Sequence, residues 1–245
     1  MSVSTWTLSV VASEYASVDV DQMYYTLIPS RFPTVDVFAR VAGSRSSELA
    51  EIESITNPRL RERDRLMNGA RVVDGNNPLL QNWNHAPFTY LNPEGTRFFD
   101  ADRPALELAA DIQTALAISI RKRETFLART AEAPIGLEMR ELSRGVKGRF
   151  ANGLDWDPDL DLAERRRRGR LVAEAGFDGL LFRPAERPSG VCIGVLKGEV
   201  LQRAVQRDHF KYVWDGTRVR VVYSFSSGAE YLPDDLSGIK QILAA

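Results

Sequence analysis

An arginine followed by an aromatic residue, Arg97-Phe98, comes just after the turn Asn92-Pro93-Glu94-Gly95. The planar guanidinium of an arginine binds a phosphate through two parallel hydrogen bonds, and an aromatic face can stack on a base or a nicotinamide ring. The pair is therefore a candidate nucleotide-binding element. Such pairs are common, so the evidence for a nucleotide site depends on the residues around Arg97.

Most other arrangements that support catalysis are missing from the sequence. It contains no Gly-x-Gly-x-x-Gly, no Walker loop, no Cys-x-x-Cys and no His-Glu-x-x-His. Its two histidines, His85 and His209, lie far apart, so we expect neither a histidine-based metal site nor a triad. Its one cysteine, Cys192, sits in an apolar run and is expected to be a buried strand thiol, which fits a reducing compartment.

The strongest charge feature is the run Arg165–Arg168 with Arg170. Four consecutive residues cover the whole circumference of a helix rather than one stripe. Acidic residues precede the run, an order that suits the helix dipole. The pattern favours a solvated helix face, and contact with an anion, a nucleotide or a partner is the alternative.

The chain has 245 residues, 44% of them hydrophobic and 27% charged, as in ordinary soluble globular proteins. Its net charge of −1 creates no general attraction to nucleic acid or to an anionic membrane. No apolar stretch approaches the roughly 20 residues that span a bilayer. Residues 1–11 lack the basic region of a signal peptide. We therefore expect a cytoplasmic protein that binds neither membrane nor nucleic acid.

Segments typical of strands recur along the chain, and two long helical segments separate some of them. Alternation or short apolar runs predict strands over 105–110, 135–142, 179–182, 191–196 and 218–225. Helical patterns predict helices over 46–56, 112–128 and 158–175, the second capped by Asp111 and the third stopped by Gly176. Residues 68–84, rich in Asn, Gly and Pro, predict a long loop. This order favours a single α/β (α+β) domain around a central mixed sheet.

The succession of several short motifs resembles the RES-domain family, whose members are bacterial proteins that consume NAD+ and usually act as toxins. The resemblance extends over roughly Tyr24 to Tyr223. No single motif is specific, but their order and spacing are hard to obtain by chance. They are Tyr25 to Pro33, Ala86-Pro87-Phe88-Thr89, Gly95-Thr96-Arg97-Phe98, the helix residues Asp111, Thr114, Ala115, Arg123, Glu124, Phe126 and Leu127, then Gly176-Phe177-Asp178-Gly179-Leu180 and Tyr212-Val213-Trp214-Asp215-Gly216.

The resemblance implies an ADP-ribosyltransferase-like fold over residues 24–230, between an N-terminal extension (1–23) and a C-terminal tail (231–245). It implies NAD+ as substrate or ligand, cleaved at the nicotinamide–ribose bond by phosphorolysis, hydrolysis or ADP-ribosyl transfer, with no metal. It also implies a toxin that an Xre-type antitoxin neutralises. Assembly into a homo-oligomer stays open.

Several residues that the family uses are replaced in this chain. The family is named for an arginine, a glutamate and a serine. The glutamate falls at Ile118 and the serine at about Pro184. The family's tyrosines before the helix fall at Leu106 and Glu107, and an arginine of its opening strand falls at Thr26.

The resemblance implies that Arg97 is catalytic. Glu107, a carboxylate near the position of the family's tyrosines, is the candidate catalytic residue that could replace the lost acid. Glu186 is a second acid that could replace it. From sequence alone, Glu107 could equally be an exposed strand residue and Glu186 an ordinary loop residue. The substrate-binding positions implied by the resemblance are Tyr25, Arg31, Phe98, Ile118 and Pro184.

Two hypotheses follow for function. In the first, the protein is a divergent RES toxin that acts on NAD+ with an altered and impaired site. In the second, it is a catalytically inactive RES-fold protein that serves as a nucleotide-binding or protein-partner module. Loss of the acid favours the second, because the charge stabilisation it removes is on the order of several kcal/mol and the rate falls about tenfold per 1.4 kcal/mol. The prevailing activity of the family favours the first, and the two hypotheses have about equal weight. Ile118 shares its helix face with polar residues, so it could cover a cleft, meet a partner or belong to a broad buried face.

Overall fold

The computed structural model describes residues 15–30, 78, 81–90 and 92–243, and within those ranges it forms eight strands and four α-helices. The strands are β1 (Ser17–Pro29), β2 (Leu106–Ala109), β3 (Ile135–Gly153), β4 (Gly179–Phe182), β5 (Cys192–Val195), β6 (Val205–Trp214), β7 (Val219–Ser224) and β8 (Glu230–Tyr231). The helices are α1 (Asn82–Thr89), α2 (Ile112–Arg129), α3 (Leu162–Glu174) and α4 (Pro233–Ser237), and a 3-10 turn covers Gly198–Val200. None of the described helices is long and apolar enough to cross a membrane.

Strand β1 closes part of the sheet into a ring, because it pairs with both β2 and β3. The ring order is β1-β2-β5-β4-β3, and β6, β7 and β8 extend the sheet beyond β3. Strands β3 and β4 run parallel, whereas β3 and β6 run antiparallel. The predicted α/β domain with a central mixed sheet is therefore confirmed.

Two apolar cores lie on the two faces of the ring strands. All five ring strands contribute to one cluster, and these side chains meet across the enclosed side of the ring: Val20, Tyr24, Leu108, Val146, Phe150, Leu181, Ile193 and Val195. The opposite face packs against α2 and forms the second cluster, which includes Ala109, Leu116, Ile120, Phe182 and Cys192. Cys192 is a buried free thiol in β5, as predicted.

Helix α2 begins where the sequence predicts. The Asp111 carboxylate accepts a hydrogen bond from the Thr114 amide at 2.8 Å, which satisfies one of the free amides of the first turn. The side-chain amide of buried Gln113 donates to the Leu236 and Lys240 carbonyls and accepts from the Ile242 amide. Residues after β8 are thereby attached to the start of α2.

The predicted strands β2, β4, β5 and β7 and the predicted helix α2 are confirmed, with ends within one residue of those expected. Strand β3 runs on to Gly153 because its pairing with β1 continues through a stretch where glycines and charges interrupt the alternation. Strand β6 was not predicted, since its first half is polar and exposed. The domain boundaries expected between residues 23 and 24 and between residues 230 and 231 fall within β1 and β8, respectively.

Two expectations need correction and two lie outside the described residues. Helix α3 begins at Leu162 rather than Pro158, because the Asp161 carboxylate accepts from the Glu164 amide and caps it there. The last residues of the predicted loop 68–84 form the start of α1. The predicted helix 46–56 and the candidate residue Arg31 lie outside the described part of the chain. Gly176, predicted to stop α3, has φ +79° just beyond its end.

Helix α3 packs directly on the segment that carries Arg97. At Gly169 the helix comes so close that a Cβ atom would collide with the Phe98 carbonyl oxygen. Only glycine permits this approach. The arginine-bearing segment is thus held against a helix backbone rather than against flexible side chains.

We expect Gly169→Ala to destabilise the protein by about 1–3 kcal/mol, because the added methyl group overpacks a contact with a backbone carbonyl. Helix propensity alone predicts the opposite sign, a gain of roughly 1 kcal/mol. Urea unfolding followed by circular dichroism measures the difference. Gly136→Ala is the matched control, since its Cβ would meet only the flexible end of Lys211. Equal stability of the Gly169→Ala variant and the wild type would contradict the close packing.

Candidate active site

A cleft lies between one flank of α2 and the strands β1, β2 and β5. Arg97 and Glu107 both line it, together with residues from five elements: Tyr25, Thr26, Leu27, Leu108, Ala109, Ala115, Ile118, Ser119, Lys122, Arg123, Phe182 and Cys192. Its cavity volume is about 80 Å³. This is far below the roughly 300–1,000 Å³ of typical small-molecule sites, so the cleft is narrow in this conformation.

Arg97 is held at the cleft by two carboxylates. Its backbone amide donates to Glu107 Oε1 at 2.8 Å, and its Nη2 donates to both oxygens of Glu186 at 2.9 Å. The guanidinium carbon also lies 5.6 Å from the ring centroid of Phe182. Burial would lower the pKa of Arg97, but the charges of Glu107 and Glu186 raise it above its usual value. The guanidinium expected to bind phosphate is thus already engaged by an internal anion.

Glu107 is an ionised acid on the cleft wall. Its side chain is only 13% exposed, so the interpretation as an exposed strand residue is wrong. Burial would raise the pKa of Glu107, but Lys122, at 3.1 Å, and Arg97 together hold it below the usual value. Lys122 is 57% exposed, so that partner is the more movable of the two.

Glu186 lies in the loop between β4 and β5, as one interpretation expected, and the next residue fixes this loop. The Arg187 side chain is 3% exposed, and its Nη1 donates to Thr114 Oγ1 at 2.8 Å. Its Nη2 donates to Gln241 Oε1 at 2.7 Å. The loop is therefore anchored to α2 and to the C-terminal segment.

The structure brings some of the predicted substrate-binding residues to the cleft and not others. Tyr25 and Ile118 line it. Ile118 is half-buried and packs against the core as well, so it both covers the cleft and belongs to a broad apolar face. Phe98 is 5% exposed and packs at 4.9 Å from the ring of Phe182, which leaves it no face for stacking on a ligand. Pro184 is buried and does not line the cleft.

The arginine run of α3 positions the segment that carries Arg97. Arg166 is buried, and its Nη2 donates to the Glu94 carbonyl at 2.6 Å. Arg170 pairs with Asp100 at 2.8 Å, and Arg168 lies 4.8 Å above the Trp156 ring. The favoured interpretation of the run as a solvated face holds for Arg167 and Arg170, which are exposed, and is wrong for the buried Arg166.

Three polar residues of the cleft wall, Ser119, Lys122 and Arg123, were missed as site residues. Helical spacing from Ile118 was the available signal, since Lys122 lies one turn further along the same face. Burial lowers the pKa of Arg123, whose charge lies near the buried Tyr212 hydroxyl. Burial raises the pKa of the Cys192 thiol well above its usual value, so this cleft residue is not a thiolate. The described residues contain no group of three or more side chains that could hold a metal ion.

Comparison with known proteins identifies the class. Residues 76–215 match the model of the RES domain, and this match covers more than half of the chain. The chain therefore belongs to the RES-domain family, as its motifs predicted.

One relative and one solved structure align with this chain over nearly their whole lengths. The uncharacterized protein y4oC of Sinorhizobium fredii (strain NBRC 101917 / NGR234) is 50% identical over 229 residues, which are 93% of this chain and 98% of that protein. The crystal structure of the M. tuberculosis MbcT–MbcA toxin–antitoxin complex aligns with 84% of this chain and 94% of its own chain. At 12% identity and a TM-score of 0.39, that likeness is too distant to support a function.

We expect Glu107→Gln to destabilise the protein by about 1–3 kcal/mol at pH 7, because it removes a charged acceptor from a nearly buried amide. The folded-state pKa of Glu107 is lowered, so its contribution is fully present above the unfolded pKa of about 4.3 and is lost as the pH falls through the folded value. Urea unfolding at pH 7 and pH 3 measures this.

The difference in the free energy of unfolding between wild type and Glu107→Gln should be smaller at pH 3 than at pH 7. The matched control is Glu138→Gln on an exposed position of β3, which should change stability little at either pH. A difference for Glu107→Gln that stays constant with pH would show that the carboxylate charge is not what stabilises the site.

Proposed function

We propose that this RES-domain protein binds NAD+ in the Arg97 cleft and breaks the bond between nicotinamide and ribose. The observation that carries the proposal is Glu107, an ionised carboxylate on the wall of the cleft that holds Arg97. The bond breaks through a cationic sugar, which a nearby anionic side chain stabilises. Nicotinamide leaves with the bonding electron pair, and the sugar is captured by phosphate, water or a protein side chain.

In this proposal Glu107 replaces the acid that the family carries at the position of Ile118. Ile118 lies on the helix wall of the cleft and Glu107 on the facing strand wall. A carboxylate can therefore reach the same cavity from the opposite side. Arg97, Lys122 and Arg123 supply positive charge for the phosphates of the substrate. Tyr25 is the aromatic residue of the cleft that could position the nicotinamide ring.

Consumption of NAD+ in this way would make the protein a toxin of the cytoplasm. A cell that carries it would then need a neutralising partner, for which the family suggests an Xre-type antitoxin. We expect growth arrest when the chain is expressed alone and rescue when that partner is co-expressed.

A catalytically inactive nucleotide-binding module is the second candidate function, and one observation favours it. Both carboxylate oxygens of Glu186 accept hydrogen bonds from Arg97 Nη2, and the cavity is narrow. The cleft is therefore closed in this conformation. In this case NAD+ would bind without turnover, or the fold would serve a protein partner.

Incubation of the purified protein with NAD+, with and without phosphate, should release nicotinamide, measured by chromatography. Arg97→Ala and Glu107→Gln should each lower the release rate by about 100-fold or more, the scale of losing one preorganised charge in a catalytic site. Arg203→Ala, an exposed arginine outside the cleft, is the control and should retain the rate.

Three outcomes separate the hypotheses. Release that depends on Arg97 and Glu107 supports the enzyme, and release only with phosphate identifies phosphorolysis. A higher melting temperature with NAD+ and no release supports the binding module. If NAD+ neither releases nicotinamide nor raises the melting temperature, a nucleotide site is refuted. The fold would then be maintained for protein partners.

A further inference from the structure

A second cleft lies on the opposite flank of α2. Its lining comes from α2, the loop after β4, the start of β7 and the segment around α4: Ala117, Ile120, Arg121, Glu124, Ala185, Glu186, Arg218, Val219, Arg220, Leu232, Pro233, Asp234 and Ser237. Its cavity volume is about 640 Å³, well within the range of small-molecule sites. The larger of these two clefts is thus not the one that holds Arg97 and Glu107.

The second cleft combines an apolar surface with charges of both signs. Ile120, Val219, Leu232 and Pro233 supply the apolar part. Arg121, Arg218 and Arg220 supply positive charge, and Glu124, Glu186 and Asp234 supply negative charge. Two of the acids are already engaged, since Glu124 accepts from the Val219 amide and Glu186 accepts from Arg97. The Arg220–Asp215 ion pair is long, at 4.0 Å, and the Arg220 side chain is 67% exposed, so its charge stays available. An apolar surface beside guanidinium groups suits a ligand with a flat ring and an attached phosphate.

Glu186 separates the two clefts. It lines the second cleft, while its carboxylate bonds to Arg97 in the wall of the first. The Glu186–Arg97 ion pair therefore lies between the two clefts. The first cleft is small and contains Glu107, and the second is larger and contains neither Arg97 nor Glu107. Displacement of the Glu186 carboxylate would join the two.

A diphosphate has the chemistry to displace that carboxylate. It offers paired anionic oxygens to the guanidinium, as Glu186 does at 2.9 Å, and it carries more negative charge. The ligand that fits has a bridging diphosphate at Arg97 and a ring system at each end. A dinucleotide meets this description, and a mononucleotide fills only one cleft.

We propose that the dinucleotide substrate spans both clefts, with its diphosphate in place of the Glu186 carboxylate, its nicotinamide end in the first cleft and its adenylate end in the second. This rests on the proposed function, since Glu107 assigns the nicotinamide end to the first cleft. The Glu186–Arg97 ion pair is then an internal latch that a ligand must open. A ligand must break this ion pair in order to bind, which lowers its apparent affinity. Removal of the Glu186 charge should therefore tighten binding.

Binding of NAD+, ADP-ribose and nicotinamide mononucleotide, measured by isothermal titration calorimetry, tests this assignment. The double variant Arg121→Ala/Arg218→Ala removes charge from the second cleft. We expect it to weaken NAD+ and ADP-ribose at least tenfold and to leave nicotinamide mononucleotide unchanged. Arg203→Ala/Lys211→Ala removes the same charge from exposed positions outside both clefts and should leave all three affinities unchanged.

The variant Glu186→Gln tests the latch. It keeps the size of the side chain and removes the competing charge, so NAD+ should bind about tenfold more tightly. Melting temperatures of the unliganded variants verify that each is folded.

The failures are distinguishable. If NAD+ binds the wild type but the second-cleft variant binds it equally well, or Glu186→Gln binds it more weakly, the spanning mode is overturned and the proposed function stands. If none of the three ligands binds the wild type, the proposed function itself is refuted and the spanning mode with it.

Discussion

The charge of Arg97 sets the constraint on which the cleft depends. Its side chain is 11% exposed, and a cation removed from water costs several kcal/mol unless opposite charge and hydrogen bonds compensate it. Glu107 arrives from β2 and Glu186 from the loop after β4, far apart in sequence. The balanced ion cluster therefore ties three separate segments together, and a change in any one alters the charge that the others face.

Two other arginines fix the segments that carry this cluster. Arg166 reaches from α3 to the Glu94 carbonyl and holds the segment before Arg97, while Gly169 lets that helix approach the backbone at Phe98. Arg187 fixes the loop of Glu186 against the start of α2. These contacts use backbone carbonyls and buried side chains, so the positions of the cleft charges are set by the core and not by surface side chains.

The sequence predicted the elements whose signals are local and missed those set by pairing. The cap at Asp111 and the apolar runs of β4 and β5 depend on neighbouring residues, and all three lie where expected. The polar first half of β6 becomes a strand because β3 pairs with it, whereas β7 pairs only with the second half, from Phe210 on. The second cleft was not predicted either, since its lining joins α2 to residues about 100 positions later.

Where the candidate site residues lie depends on packing as well as on motifs. Arg97 and Glu107 line one cleft, although the sequence alone could not place Glu107 there. Phe98, next to Arg97, lies in the core instead, where it packs against the rings of Trp156 and Phe182. The role of Arg166 in holding the turn was equally invisible, because nothing in a run of arginines tells which of its members is buried.

The apolar residue at Ile118 and the acid at Glu186 are compatible parts of one arrangement. The acids that face Arg97 are Glu107 and Glu186, whereas the helix wall of the cleft carries the cations Lys122 and Arg123 beside position 118. With isoleucine there, the helix wall carries no acid and the facing strand and loop supply both. The negative charge of the cleft therefore comes from a strand whose position is fixed by the sheet and from the loop that carries Glu186.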